Sequence, residues 1–126
     1  GEAEVPPVET DGTGQAAFLT NGEAVQFAIA AFDLTDVVAA HIHGPATTEN
    51  EAGILVTLFD DPGGVDPDGL FTDDDDAVFP SSDFPIDADI PVDSVLRLMR
   101  EGQAYVNVHT VENPGGEIRG QIMSTN

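Results

Sequence analysis

The sequence predicts an all-β fold, an antiparallel Greek-key sandwich or barrel with one short helix near residues 92–101. Three observations predict it. Apolar and polar residues alternate with the period of two that is typical of strands, turn residues separate these segments, and only one segment has helical spacing. The 126 residues are enough for one hydrophobic core, so we expect residues 1–126 to form a single domain.

Two hairpins frame the predicted strands. Residues 15–20 and 21–32 predict the first hairpin, which turns at Asn21-Gly22, a pair that favours a two-residue turn. Residues 104–110 and 116–123 predict the closing hairpin across the sequence VENPGG. Between the hairpins we expect two more strands, at residues 37–43 and 53–59.

The single helical pattern begins after Pro91. Val92, Val95, Leu96 and Met99 recur at spacings of three and four residues. Asp93 is the expected capping residue, and Gly102 is the expected stop.

Residues 60–89 are rich in Asp, Pro and Gly and predict a long acidic loop. Phe71, Phe79 and Phe84 are candidates to hold this loop against the domain. Its carboxylates could bind calcium, which prefers oxygen ligands, although the glutamate of an EF-hand is missing at the required offset. The alternative is a solvated loop.

The formal net charge of −21 comes from 24 acidic residues and only three arginines. A surface of this sign repels phosphates, which excludes nucleic acids and anionic membranes as partners. Because salt screens charge repulsion, the composition favours a protein adapted to high salt. Another cation-rich extracellular setting or an acidic matrix is the alternative.

The targeting and redox features of the sequence are few. No run of about 18 apolar residues predicts a membrane span. No signal-peptide pattern is visible, as expected of a chain from which the signal has been removed. The chain has no cysteine, so any metal site must use histidine, carboxylate or carbonyl ligands.

All three histidines fall in two predicted strands. His41 and His43 are two residues apart, so their side chains project from the same face. His109 shares a face with Tyr105 and Asn107 on the later strand. If these strands are neighbours, three imidazoles converge, and copper heads the affinity order for such a site. The alternative is that the rings bond nearby backbone carbonyls and are structural.

Five motifs in the chain resemble the CHRD domain, first named from chordin. They are EVPPV (4–8), AAHIHGPA (39–46), GILVTLFD (53–60), GQAYVNVHT (102–110) and NPGGEIRGQI (113–122). The resemblance covers nearly the whole chain and implies a secreted or cell-surface β-sandwich. Compared with the family, the strand before EVPPV is short or missing, and the acidic insert is longer.

A weaker similarity is to copper,zinc superoxide dismutase. The expected sandwich or barrel is therefore immunoglobulin-like or superoxide-dismutase-like. His41, His43, His109 and the segment 115–119 resemble that family in order. The family's zinc ligands, bridging histidine and cysteines have no counterparts. The negative charge also opposes steering of superoxide, an anion, so a copper-dependent redox enzyme is the alternative rather than the leading prediction.

The remaining polar residues of the last hairpin allow two interpretations of Arg119. It either binds an anion beside the histidines or, as we expect, pairs with Glu117 or another acidic neighbour. Asn107 is expected to bond a neighbouring loop, and Tyr105 to lie at the edge of the core. No nucleophile–base pair is apparent, and we predict no catalytic residues.

The sequence thus predicts an extracellular, salt-adapted binding or structural module that is not an enzyme. Its candidate copper site consists of His41, His43 and His109. A missing edge strand would expose backbone groups, so we expect strand addition between copies, giving a homo-oligomer or filament. A monomeric adhesion domain with structural histidines is the simpler alternative.

Overall fold

The computed structural model describes residues 1–20, 24–65, 69–72, 79–80 and 90–125. Its elements in chain order are β1 (Thr13–Thr20), β2 (Ala24–Phe32), β3 (Val37–His43), β4 (Ile54–Val65), β5 (Gly69–Thr72), β6 (Phe79–Pro80), α1 (Val92–Arg100), β7 (Tyr105–Thr110) and β8 (Ile118–Gln121). The prediction of an all-β fold with one short helix is confirmed.

The strands form two antiparallel sheets. In the first sheet β1 pairs with β2, and β2 also pairs with β5 and with β6. The second sheet has the order β4-β3-β7-β8. Neither sheet closes on itself among the described strands, so the fold is a sandwich rather than a barrel.

Both predicted hairpins are confirmed. β1 and β2 pair along the whole of β1, from Thr13 opposite Phe32 to Thr20 opposite Val25. The predicted turn at Asn21-Gly22 lies outside the described residues. β7 and β8 pair antiparallel at the end of the chain.

The hydrophobic core lies between the facing sides of the sheets. Phe27 and Ile29 of β2 share a buried cluster with Val106 and Val108 of β7. A second cluster joins Ile42 of β3 to β4 and α1. Because side chains alternate along a strand, this inward packing directs the residues next to Ile42, Val106 and Val108 to the outer face of the second sheet.

Helix α1 forms where its spacing predicts it and buries four apolar side chains, Val95, Leu96, Leu98 and Met99. Pro91 is the N-cap and no side chain caps the helix, so the prediction that Asp93 caps it is wrong. Asp93 instead lies in the first turn, where its charge suits the helix dipole. Gly102 follows the helix at φ +72°, as expected of a glycine stop. The described residues include no helix with the length and apolar character of a membrane span.

The prediction of one long loop over residues 60–89 is wrong for the residues described there. β4 continues to Val65, where it pairs with Val37 after a register shift. β5 pairs with the middle of β2, and β6 pairs with its beginning. Backbone pairing with partners distant in sequence thus overrides a composition that disfavours strands. Most of the acidic residues considered for calcium, including 73–76, and also Phe84, lie outside the described residues, so the calcium site stays a prediction.

Candidate metal centre

The outer face of the second sheet carries an unusual concentration of polar side chains, which we call the polar face. Its residues are His41 and His43 of β3, Tyr105, Asn107 and His109 of β7, and Arg119 and Gln121 of β8. Six of them form two rows across the strands. In one row Asn107 lies between His41 and Arg119, and in the other Tyr105 lies between His43 and Gln121. Most of these side chains are buried, because connecting segments lie over the sheet.

The three histidines meet on this face, as the adjacency of β3 and β7 allows. His41 Nδ1 lies 2.9 Å from His109 Nε2. One nitrogen from each of the three rings lies within 4.8 Å of the others. The rings are therefore arranged so that they can hold one metal ion.

Backbone carbonyls fix the orientation of two of these rings. His43 Nδ1 lies 2.9 Å from the carbonyl oxygen of Ala52, and His109 Nδ1 lies 2.9 Å from that of Pro114. A carbonyl oxygen only accepts, so Nδ1 carries the proton in both rings. His43 Nε2 has no hydrogen-bond partner among the described residues, whereas His109 Nε2 accepts a hydrogen bond from His41 Nδ1. Outer contacts of this kind orient metal-binding histidines and increase their basicity. The hydrogen bonds to backbone carbonyls that a purely structural role predicts are thus present. The same hydrogen bonds also orient the rings for metal binding.

Burial lowers the pKa of His43 and of His109 below the usual histidine range. The hydrogen bonds to Ala52 and Pro114 oppose this effect only in part. Both rings are therefore neutral at neutral pH, which is the protonation state that metal binding requires.

We expect His43 and His109 to remain neutral Nδ1–H tautomers at pH 6.5 in the metal-free protein. An ordinary histidine is half protonated near this pH. Because burial disfavours the charged rings, their contribution to stability is complete above about pH 6.5 and declines as the pH falls toward their folded pKa values. Nitrogen NMR of the imidazoles measures tautomer and protonation directly. Half-protonated rings at pH 6.5 would contradict the prediction.

Tyr105 and Arg119 stack behind His43. The Tyr105 ring lies parallel to the His43 ring at 4.9 Å between centroids, and the Arg119 guanidinium carbon lies 3.5 Å from the centre of the Tyr105 ring. Tyr105 is thus buried within the polar face instead of lying at the edge of the core. This stack packs against one face of the His43 ring and so restricts the rotation of that side chain.

The predicted ion pair between Arg119 and Glu117 is not formed. Arg119 Nη2 donates to the carbonyl oxygen of Thr47 at 2.7 Å. Glu117 instead accepts hydrogen bonds from the side chains of Thr10, Thr110 and Asn113. Burial raises the pKa of Glu117, but these three hydrogen bonds together outweigh it and lower the pKa. The bond from Thr10 also fastens the N-terminal segment to the closing hairpin.

Sequence reasoning missed Glu4 as a residue of this region. Glu4 is only 5% exposed, and its Oε1 has no hydrogen-bond partner among the described residues. Burial raises the pKa of Glu4, and the charge of Arg119 opposes this. The charge of Arg119 thus acts on the pKa of Glu4. Glu4 lies 115 positions away in the chain, where no periodicity could reveal this relation. The expected contact of Asn107 with a loop is confirmed, since Nδ2 donates to the carbonyl oxygen of Gly115 at 3.5 Å.

Comparison with known proteins gives one match. The model of the CHRD domain matches residues 1–122 of the 126-residue chain. No curated protein and no solved structure gives a significant match. CHRD domains occur in extracellular proteins and are generally binding modules without enzymatic activity. Because the match spans nearly its whole length, the chain belongs to the CHRD domain family.

Proposed function

We propose that this domain is an extracellular binding module that holds one divalent metal ion, Cu(II) in preference to others, on His41, His43 and His109. The observation that carries the proposal is the convergence of three imidazoles, two of which are held by backbone carbonyls with their Nε2 lone pairs free of protons. Imidazole is a ligand that copper, zinc and nickel accept.

The ligand type supports copper. The 2.9 Å between His41 Nδ1 and His109 Nε2 is a hydrogen-bond distance in the metal-free protein, so the shared proton must leave before both nitrogens can bind one ion. Cu(II) binds more tightly than the other divalent ions of its row to a given set of ligands.

A titration of the untagged, metal-free protein with Cu(II) tests this proposal. We expect one tight equivalent, an electron paramagnetic resonance spectrum of nitrogen-coordinated copper, and weaker binding of zinc. Weak binding of several copper ions, without a nitrogen signature, would indicate adventitious binding to surface carboxylates and overturn the proposal.

The family and the composition support the remaining parts of the proposal. The family's binding modules support a binding role outside the cell rather than a redox enzyme. The net charge of −21 supports a salt-rich environment, where screening weakens the repulsion between the carboxylates.

We also propose that copies of the chain associate through β1. Among the described strands β1 is the edge of its sheet, and β2 is the one described strand that pairs with it, so alternate residues of 13–19 direct backbone groups to the outer side. Gly14 and Ala16 pair with core residues of β2 and so face inward, yet both are exposed. They line a cleft of about 280 Å³ between β1 and β8, with Ile29 and Ile118 at its apolar side.

A second copy suits this cleft because it carries the same unsatisfied edge, so that pairing would satisfy both. Repulsion between two chains of charge −21 opposes association at low salt. The proposal therefore concerns high salt, where the screening length falls to about 3 Å at 1 M.

Light scattering at low salt and at about 1 M NaCl measures this association. We expect a dimer or larger species at high salt, with the β1 amides protected from hydrogen exchange along both edges. Ala16→Asp places a charge in the cleft and should return the protein to a monomer. Ala17→Asp is the matched control, because Ala17 points to the opposite face. A monomer at both salt concentrations would exclude the association.

A further inference from the structure

Glu4 belongs to a segment that has neither helix nor strand, yet its carboxyl group is buried against the polar face. The carbonyl oxygen of Gly1 accepts hydrogen bonds from the backbone N–H groups of Glu4 and Val8, which closes the segment on itself. Thr10 Oγ1 donates to Glu117 at 2.6 Å and ties down its end. The chain therefore holds Glu4 in place from both sides.

Asn107 lies between Glu4 and the histidines. It stands opposite both His41 and Arg119 in the sheet. Asn107 Oδ1, Glu4 Oε1 and His43 Nε2 are all buried without a hydrogen-bond partner among the described residues. A Cβ atom on Gly116 would lie 2.5 Å from Asn107 Nδ2 and 2.7 Å from Glu4 Oε1, so both groups pack against the same glycine. Glu4 and Asn107 thus touch a common backbone position beside the metal site.

Arg119 provides the electrostatic part of this arrangement. Its side chain is only 9% exposed, and its Nη1 has no hydrogen-bond partner among the described residues. Its charge acts on both Glu4 and His43. A buried cation near His43 opposes a second cation there, whereas a carboxylate beside Arg119 offsets that repulsion.

We propose that Glu4 is a positioning residue of the metal centre, which packs with Asn107 against Gly116 beside the histidines and offsets the charge of Arg119. This inference rests on the proposed metal-binding function. Glu4 does not contact the metal in this arrangement, and the three imidazoles remain the ligands. The N-terminal segment thereby becomes part of the metal centre without supplying a ligand.

Two variants separate the two contributions of Glu4. Glu4→Gln keeps the shape and one oxygen but loses the charge, and we expect copper affinity about 10-fold below that of the wild type. Glu4→Ala loses both, and we expect a loss approaching 100-fold, the upper end for partners of metal ligands. Glu2→Gln is the matched control, because Glu2 is exposed in the same segment, and its affinity should equal that of the wild type.

A metal-free measurement distinguishes this inference from the proposed function. In Glu4→Ala we expect the nitrogen NMR signals of His43 to shift, while those of His109 stay near their wild-type positions. If wild-type protein binds no copper, the proposed function fails, and an unchanged His43 signal would overturn the positioning role separately. Copper affinities of both Glu4 variants within twofold of the wild type, with only a lower melting temperature, would show that Glu4 is merely structural. Circular dichroism establishes whether each variant folds. If Glu4→Ala does not fold, the copper affinity of Glu4→Gln decides whether Glu4 is a positioning residue.

Discussion

His43→Ala and His109→Ala should each lower the affinity for Cu(II) by more than about 100-fold, beyond the loss expected for residues that only support a ligand. Each substitution removes one of three converging nitrogens and leaves two, which cannot enclose the ion. Each also frees a backbone carbonyl, of Ala52 or Pro114, so part of the surrounding connection loses its anchor. Isothermal titration and the copper spectrum of the variants measure the effect.

The control for these variants is Glu49→Gln, which removes an exposed carboxylate from the connection between β3 and β4. Its copper affinity should remain that of the wild type, because a surface carboxylate contributes only to weak, nonspecific binding. Equal copper binding by wild type and both histidine variants would return the imidazoles to a structural role. The domain would then be a simple adhesion module.

The variants also help to separate ligand loss from misfolding. His41 is half-buried, whereas His43 and His109 are buried. His41→Ala should therefore cost less stability than the other two substitutions while removing the nitrogen that lies 2.9 Å from His109. A well-folded His41→Ala protein that has lost tight copper binding would assign the loss to coordination.

Local features of the sequence account for much of the fold. Alternation and turn residues predict the two hairpins, and spacings of three and four predict α1, because these signals arise within a few residues of each element. The spacing of His41 and His43 likewise places them on one face. That β3 and β7 are neighbours is a long-range property, which the sequence suggested only through the resemblance to a family.

The features that sequence reasoning missed depend on contacts between distant segments. β5 forms because β2 offers it a backbone partner, although its own surroundings are rich in glycine and aspartate. Glu4 is buried and packs with Asn107 against Gly116, and nothing in the sequence EVPPV distinguishes this glutamate from an exposed one. Of the acidic partners predicted for Arg119, Glu117 is the one named because it is near in sequence, whereas the structure bonds Arg119 to the carbonyl oxygen of Thr47.

Gly116→Ala should destabilise the protein by roughly 2–6 kcal/mol, the sum of backbone strain and overpacking. Gly116 has φ +121°, a conformation that residues with a side chain rarely adopt. The new methyl group would also fall within 2.7 Å of the Glu4 carboxyl group and closer still to the Asn107 amide. Both groups are buried, so neither can move aside without breaking other contacts.

The neighbouring glycine provides the matched control for this prediction. A Cβ atom on Gly115 would meet nothing within 4 Å, and its φ lies outside the left-handed range. Gly115→Ala should therefore change the free energy of unfolding by no more than about 1 kcal/mol in either direction. Denaturant unfolding at high salt measures both variants, and equal stabilities would contradict the packing of Glu4 and Asn107 against Gly116. If Glu4 positions the metal centre, Gly116→Ala should also weaken copper binding, since the same methyl group displaces Glu4 and Asn107 together.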